Sequence, residues 1–130
     1  MTPRIATPRL LISDDDRDFQ ETLRSVFEPR GFGTVLASNG EEAVQIVRQT
    51  TIHIVLIDLH MPKLSGLEAI KQIKQIEATI PCILISAAID ETIERQADAY
   101  SVLKKPVTHR EVTEVVTAAM KVAYNWHGDQ

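Results

Sequence analysis

The stretch Ile54-Val55-Leu56-Ile57-Asp58 constrains the fold more than any other. Its four consecutive branched apolar residues suit a strand buried on both faces, since a strand with one solvated face would alternate with polar residues. The run ends at a carboxylate, and Pro62 and Gly66 follow within eight residues. A buried strand that delivers an acid to its carboxyl end puts it where open α/β sheets hold their ligands. Taken alone, the stretch is equally a strand that stops and a polar residue that opens a loop, so the rest of the chain decides.

Other apolar segments repeat the pattern. Arg9 to Ser13 carries Leu10-Leu11-Ile12 and runs into Asp14-Asp15-Asp16. Val35-Leu36-Ala37, Cys82-Ile83-Leu84-Ile85-Ser86 and the weaker Ser101 to Lys104 complete a set of five strands. Between them lie helical patterns. Phe19, Leu23, Val26 and Phe27 share a face until Pro29 and Gly31 stop the helix. Asn39 with Glu42, Ser65 with Glu68 and Thr108 with Glu111 have the spacing of capping boxes. The third helix presents Leu67, Ile70, Ile73 and Ile76. A short fourth one runs from about Asp90 to Ala97, and the last turns Val112, Val115, Val116, Ala119 and Ala123 inward. Strands alternating with helices predict a parallel sheet covered on both faces.

At 130 residues the chain has the length of one domain with an adequate core. We expect a flexible leader at residues 1–8 around Pro3 and Pro8, a folded unit at 9–124 and a tail at 125–130 that carries Trp126. The net charge of −4 argues against nucleic acid as the main partner. The single cysteine, Cys82, suits a reducing compartment and a core role. No targeting segment or membrane span is evident, so the expectation is a cytoplasmic protein with no membrane partner.

Each informative polar residue falls just after a strand: Asp14 and Asp15, then Asp58, Ser86 and Lys105. In a parallel sheet these ends point the same way, so the residues converge at one rim. Three clustered carboxylates repel unless a cation joins them. An all-oxygen set suits a hard divalent ion such as Mg²⁺. A carboxylate, such an ion, a lysine and a hydroxyl are the parts that make and hold an aspartyl phosphate. Asp16 reads instead as a solvated first-turn acid, and the His60 imidazole as an exposed loop side chain that is a poor partner for Mg²⁺.

The ordered set of Asp14-Asp15, Asp58-x-x-x-Pro62-x-x-x-Gly66, Ser86-Ala87 and Lys105-Pro106 resembles the receiver domain of two-component response regulators, here over about residues 9 to 123. The resemblance implies a single-domain, flavodoxin-like (βα)5 fold of three layers, with strand order 2-1-3-4-5. It implies that Asp58 accepts a phosphoryl group from a sensor histidine kinase or histidine phosphotransfer protein. Mg²⁺ (or Mn²⁺) would be bound by Asp15, Asp58, the His60 main-chain carbonyl and, through a water, Asp14. Lys105 would pair with the phosphoryl group, Ser86 would be the switch hydroxyl, and the Lys105–Pro106 bond would be cis. Such a protein catalyses only its own phosphorylation and dephosphorylation. As a stand-alone receiver it would signal to an unidentified downstream protein by contact or phosphorelay.

Two positions depart from the family pattern. Val102 stands three residues before Lys105, where receivers usually carry an aromatic, and only 18 residues separate Ser86 from Lys105, so the fourth helix is short. These departures motivate an alternative, a receiver-like interaction module independent of phosphorylation. A phosphatase of the haloacid dehalogenase type is a third reading. It wants a second acid two residues after the nucleophile, where this chain has His60.

Overall fold

The apolar runs become the strands. The computed structural model describes residues 5–128, and in it they form β1 (Arg9–Ser13), β2 (Gly33–Ala37), β3 (Ile54–Asp58), β4 (Cys82–Ser86) and β5 (Ser101–Lys104). All neighbours pair in parallel, in the order β2-β1-β3-β4-β5. Every residue of β3 and β4 is buried, as the unbroken apolar runs require of central strands. Five α-helices complete the flavodoxin-like fold: α1 (Arg17–Phe27), α2 (Gly40–Gln49), α3 (Gly66–Ile76), α4 (Glu91–Gln96) and α5 (His109–Tyr124).

Alternation along the strands divides the core. Leu11, Val55, Ile57, Cys82 and Leu84 pack against Ala43, Val44 and Val47 of α2 and Ala69, Ile70 and Ile73 of α3. Leu10, Ile12, Ile54, Leu56, Ile83 and Ile85 face the other way, onto Leu23 and Phe27 of α1 and Val112, Val116, Ala119 and Met120 of α5. Each fully buried Leu, Ile or Phe contributes about 1.5–3 kcal/mol, so a one-residue slip of a central strand would interchange its two apolar sets.

The helix faces need two corrections. On α3 the buried stripe is Gly66, Ala69, Ile70 and Ile73, whereas Ile76 is exposed and Leu67 half-buried. At 100° per residue Leu67 and Ile76 fall at opposite edges of that stripe. On α5 Met120 is buried and Ala123 exposed, since Ala123 opens on a surface cleft lined by Lys74, Asp98 and Tyr100.

Capping also differs in detail. Asp16, Asn39, Ser65, Asp90 and Thr108 each accept the N–H three residues on. The reciprocal box forms at Thr108/Glu111; Glu42 instead reaches Ser38, and Glu68 pairs with Lys71. Asp16 is thus the N-cap of α1 rather than a first-turn acid.

The expected leader meets the fold at its last residue, because Pro8 is buried and its carbonyl accepts the Gly33 N–H at 2.9 Å. Residues 1–4 of that leader, and 129–130 of the tail, lie outside the described residues. The Trp126 ring meets the edge of Phe32 at 4.9 Å. Among the described residues no helix is long and apolar enough to cross a membrane.

Candidate functional site

Parallel pairing sets the rim in register, with Ser13 opposite Ile57, Asp58 opposite Ile85 and Ser86 opposite Lys104. The chain leaves β1 through Asp14, whose N–H donates to the Ala37 carbonyl at 3.1 Å. The Asp14 side chain is 2 % exposed; Oδ1 accepts the Asp16 N–H at 2.8 Å, and Oδ2 accepts from Lys105 Nζ at 2.9 Å. Gln20 braces this turn from within α1. Its Nε2 donates to the Asp14 carbonyl at 2.7 Å and to the Ala37 carbonyl, so one buried amide ties the ends of β1 and β2 together.

Asp58 is buried at the end of β3, where the Leu59 and His60 N–H groups favour its ionised form. The turn that follows closes tightly. Gly66 N–H donates to the Leu59 carbonyl at 2.8 Å, and a Cβ on Gly66 would lie 2.3 Å from the Asp58 carbonyl oxygen. Glycine is therefore required because α3 begins against the backbone of Asp58 itself. The His60 side chain is exposed, as expected.

One carboxylate oxygen from each of Asp14, Asp15 and Asp58 lies within 4.8 Å of the other two. Burial, then repulsion from Asp14, pushes the Asp58 carboxyl above the usual carboxylate range, while Lys105 and the two N–H donors oppose that rise. Burial works against charge on Lys105, but its hydrogen bond to Asp14 and the charges of Asp14, Asp58 and Asp16 outweigh it and hold the lysine above its ordinary value. Lys105 Nζ sits 3.8 Å from Asp58 Oδ2, beyond hydrogen-bonding distance. It also lies 4.4 Å from the centroid of the Phe19 ring. Ser86 is buried, and its Oγ accepts the Ala88 N–H at 3.3 Å. The Lys105–Pro106 bond is cis.

Three carboxylates against one ammonium leave the cluster short of positive charge, and every donor in it is oxygen. That composition and spacing fit Mg²⁺, which keeps several waters and takes few carboxylates. Asp15 is the exposed member, open to solvent beside two buried partners.

Sequence reasoning placed the acids and the lysine but overlooked two supports. Gln20 shares a face with Leu23 and Phe27, and an amide in an apolar stripe is the mark of a buried hydrogen bond. Phe19 read as a core residue; it is half-buried and spends one ring face on Lys105.

The family model for the response regulator receiver domain matches residues 10–117. The chain belongs to that family. A transcriptional regulatory protein, CpxR homolog, from Haemophilus influenzae is 33% identical over 116 residues, which are 87% of this chain and 50% of that one. The receiver thus spans about half the length of the regulators it matches. Among solved structures, a CheY-like receiver domain from Methanospirillum hungatei superposes with a TM-score of 0.88 at 19% identity, covering 92% of this chain and 98% of that one. The CheX–CheY–BeF3–Mg²⁺ complex from Borrelia burgdorferi matches with a TM-score of 0.82 at 28% identity, covering 87% of this chain and 89% of that one.

Proposed function

We propose that this receiver accepts a phosphoryl group on Asp58 from the phosphohistidine of a sensor histidine kinase or histidine phosphotransfer protein. It would pass the signal to a downstream protein by contact or by onward transfer. The observation that carries this reading is the convergence of three acids and a lysine from separate strand ends within a few ångströms.

The chemistry follows from the chain's own groups. An Asp58 oxygen attacks phosphorus in line, forming the acyl phosphate O–P bond as the donor's N–P bond breaks and the imidazole leaves. The Leu59 and His60 N–H groups favour the ionised carboxylate that attacks. Lys105 exchanges its contact with Asp14 for the new phosphoryl oxygens, and the Ser86 hydroxyl turns from the Ala88 N–H to donate to another of them. Asp15, Asp58 and the His60 main-chain carbonyl, with Asp14 acting through a water, would hold Mg²⁺, which when bound supplies charge neutralisation for the phosphoryl oxygens. The Borrelia complex, which contains BeF3 and Mg²⁺ with a related CheY, supports Mg²⁺ as the ion here.

Incubation with acetyl phosphate, with and without Mg²⁺, followed by intact mass measurement tests the reading. A Mg²⁺-dependent gain of one phosphoryl group, absent in Asp58→Asn, is expected. No gain from acetyl phosphate or phosphoramidate would favour the phosphorylation-independent module that Val102 and the six-residue α4 suggest.

A further inference from the structure

We propose that Phe19 is a positioning residue for Lys105, its ring face keeping the ammonium within reach of both Asp14 and the phosphoryl position on Asp58. The inference rests on the reading of Asp58 as phosphoacceptor for its purpose, but not for the contact on which it is built.

Lysine is a poor candidate for a fixed site unless something immobilises it, because its charge sits on a flexible four-carbon stem and is strongly hydrated. Here the Lys105 ammonium has one short contact, 2.9 Å to Asp14 Oδ2, and a longer one of 3.8 Å to Asp58 Oδ2. Both lie on the acidic side. The Phe19 ring lies 4.4 Å from Nζ to its centroid, inside the range over which a ring quadrupole attracts a cation. It also belongs to the apolar wall formed with Ile12, Leu23, Leu56 and Ile85 beside Asp14 and Asp58.

The ring has a property that a third carboxylate would lack. It attracts the ammonium broadly across its face and forms no directional hydrogen bond, so Nζ can pivot from Asp14 toward a group on Asp58 without losing its support. An acid there would hold the lysine away and add charge to a site already rich in it. The platform is itself fixed by the segment that supplies the acids. Phe19 lies in the first turn of α1, its N–H accepted by Asp16 Oδ1 at 3.2 Å, and the next residue is the buried brace Gln20. Asp14, Asp15 and the seat for Lys105 are thus displayed by one short stretch of chain, and Lys105 itself comes from 91 residues after Asp14.

Two measurements test this, and they separate the contact from its use. The first is a double-mutant cycle of Phe19→Leu and Lys105→Met in urea unfolding without Mg²⁺, which needs no phosphorylation. Phe19→Leu is expected to raise the unfolding constant roughly threefold more when Lys105 is present than in the Lys105→Met background. Additive effects would overturn the proposal. The second is the affinity for beryllofluoride at saturating Mg²⁺, compared with the affinity for Mg²⁺ alone. Phe19→Leu is expected to weaken beryllofluoride roughly threefold to tenfold, with Mg²⁺ affinity unchanged and Phe19→Tyr restoring the wild-type value. Equal loss of both affinities, or no rescue by Phe19→Tyr, would mark a merely structural residue and overturn the proposal. A coupled cycle in a protein that never binds beryllofluoride would instead sink the phosphoacceptor reading and, with it, the positioning role.

Discussion

Replacing Lys105 by methionine keeps the length of the side chain and removes its charge, which isolates the electrostatics of the rim. At an effective dielectric of about 20, unit charges at the observed 2.9 and 3.8 Å attract by about 6 and 4 kcal/mol. Asp14 and Asp58, whose oxygens lie within 4.8 Å, repel by at least about 3 kcal/mol on the same scale. Burying the ammonium consumes part of this attraction. Breaking a buried pair costs about 3–5 kcal/mol, and the Lys105 side chain keeps 24 % of its exposure, so a loss of about 2–3 kcal/mol is expected without metal. The loss depends on pH. Asp58 already has a raised carboxyl, and Lys105 is the leading charge opposing that rise. A raised folded-state value means that the protonated form favours the fold, a contribution present at low pH and lost as pH rises through that value. The share of the Lys105→Met penalty that comes from Asp58 is therefore smaller near about pH 4 and grows toward about pH 8. Saturating Mg²⁺ supplies the missing charge, so the variant should recover most of its stability and bind Mg²⁺ roughly tenfold tighter than wild type. Urea unfolding followed by circular dichroism, in EDTA and in Mg²⁺ across that pH range, measures all three. A variant as stable as wild type in EDTA at pH 8, or one whose Mg²⁺ affinity falls, would refute the reasoning.

Gly66→Ala should lower stability by about 1–3 kcal/mol in thermal unfolding, because its Cβ would strike the Asp58 carbonyl; an unchanged Tm would contradict that contact. His53 accepts the Arg9 N–H on Nδ1 at 2.9 Å, and burial, then the Arg9 charge, lowers its pKa. A lowered histidine contributes stability above about pH 6.5 that is lost as pH falls through the folded value, so wild type should weaken toward pH 5 more than His53→Gln does. Parallel pH profiles of the two proteins would dismiss the idea. Ala88, two positions after Ser86, is exposed and carries no group to orient an attacking water. A slow loss of phosphate from Asp58 follows, and an autodephosphorylation half-life of seconds, followed by intact mass, would count against it.

The strands and the rim were legible because both depend on local pattern. An apolar run ending in an acid specifies burial and a strand end at once, which is why Asp14, Asp58 and Ser86 could be assigned to one edge before the strand order was known. The strand order came from the family resemblance instead, since no periodicity distinguishes 2-1-3-4-5 from another parallel arrangement. Gln20 and Phe19 escaped because their roles depend on partners distant in the chain: the Ala37 carbonyl for one, the Lys105 ammonium for the other. The 3.6-residue period places Ala123 on the inner face of α5, yet no period records that this alanine lines an open cleft with Lys74, Asp98 and Tyr100.

The close seat of Gly66 on Asp58 also divides the molecule mechanically. The backbone of Asp58 is fixed by its ladder to β4 on one side and by the start of α3 on the other, with no room for even a methyl group between. A group attached to its side chain cannot be relieved by moving that backbone. On the opposite flank α4 buries no residue fully, and β5 is an edge strand with no buried position. Asp58 therefore sits between a closely packed flank at Gly66 and a lightly packed one from Ala87 to Lys104.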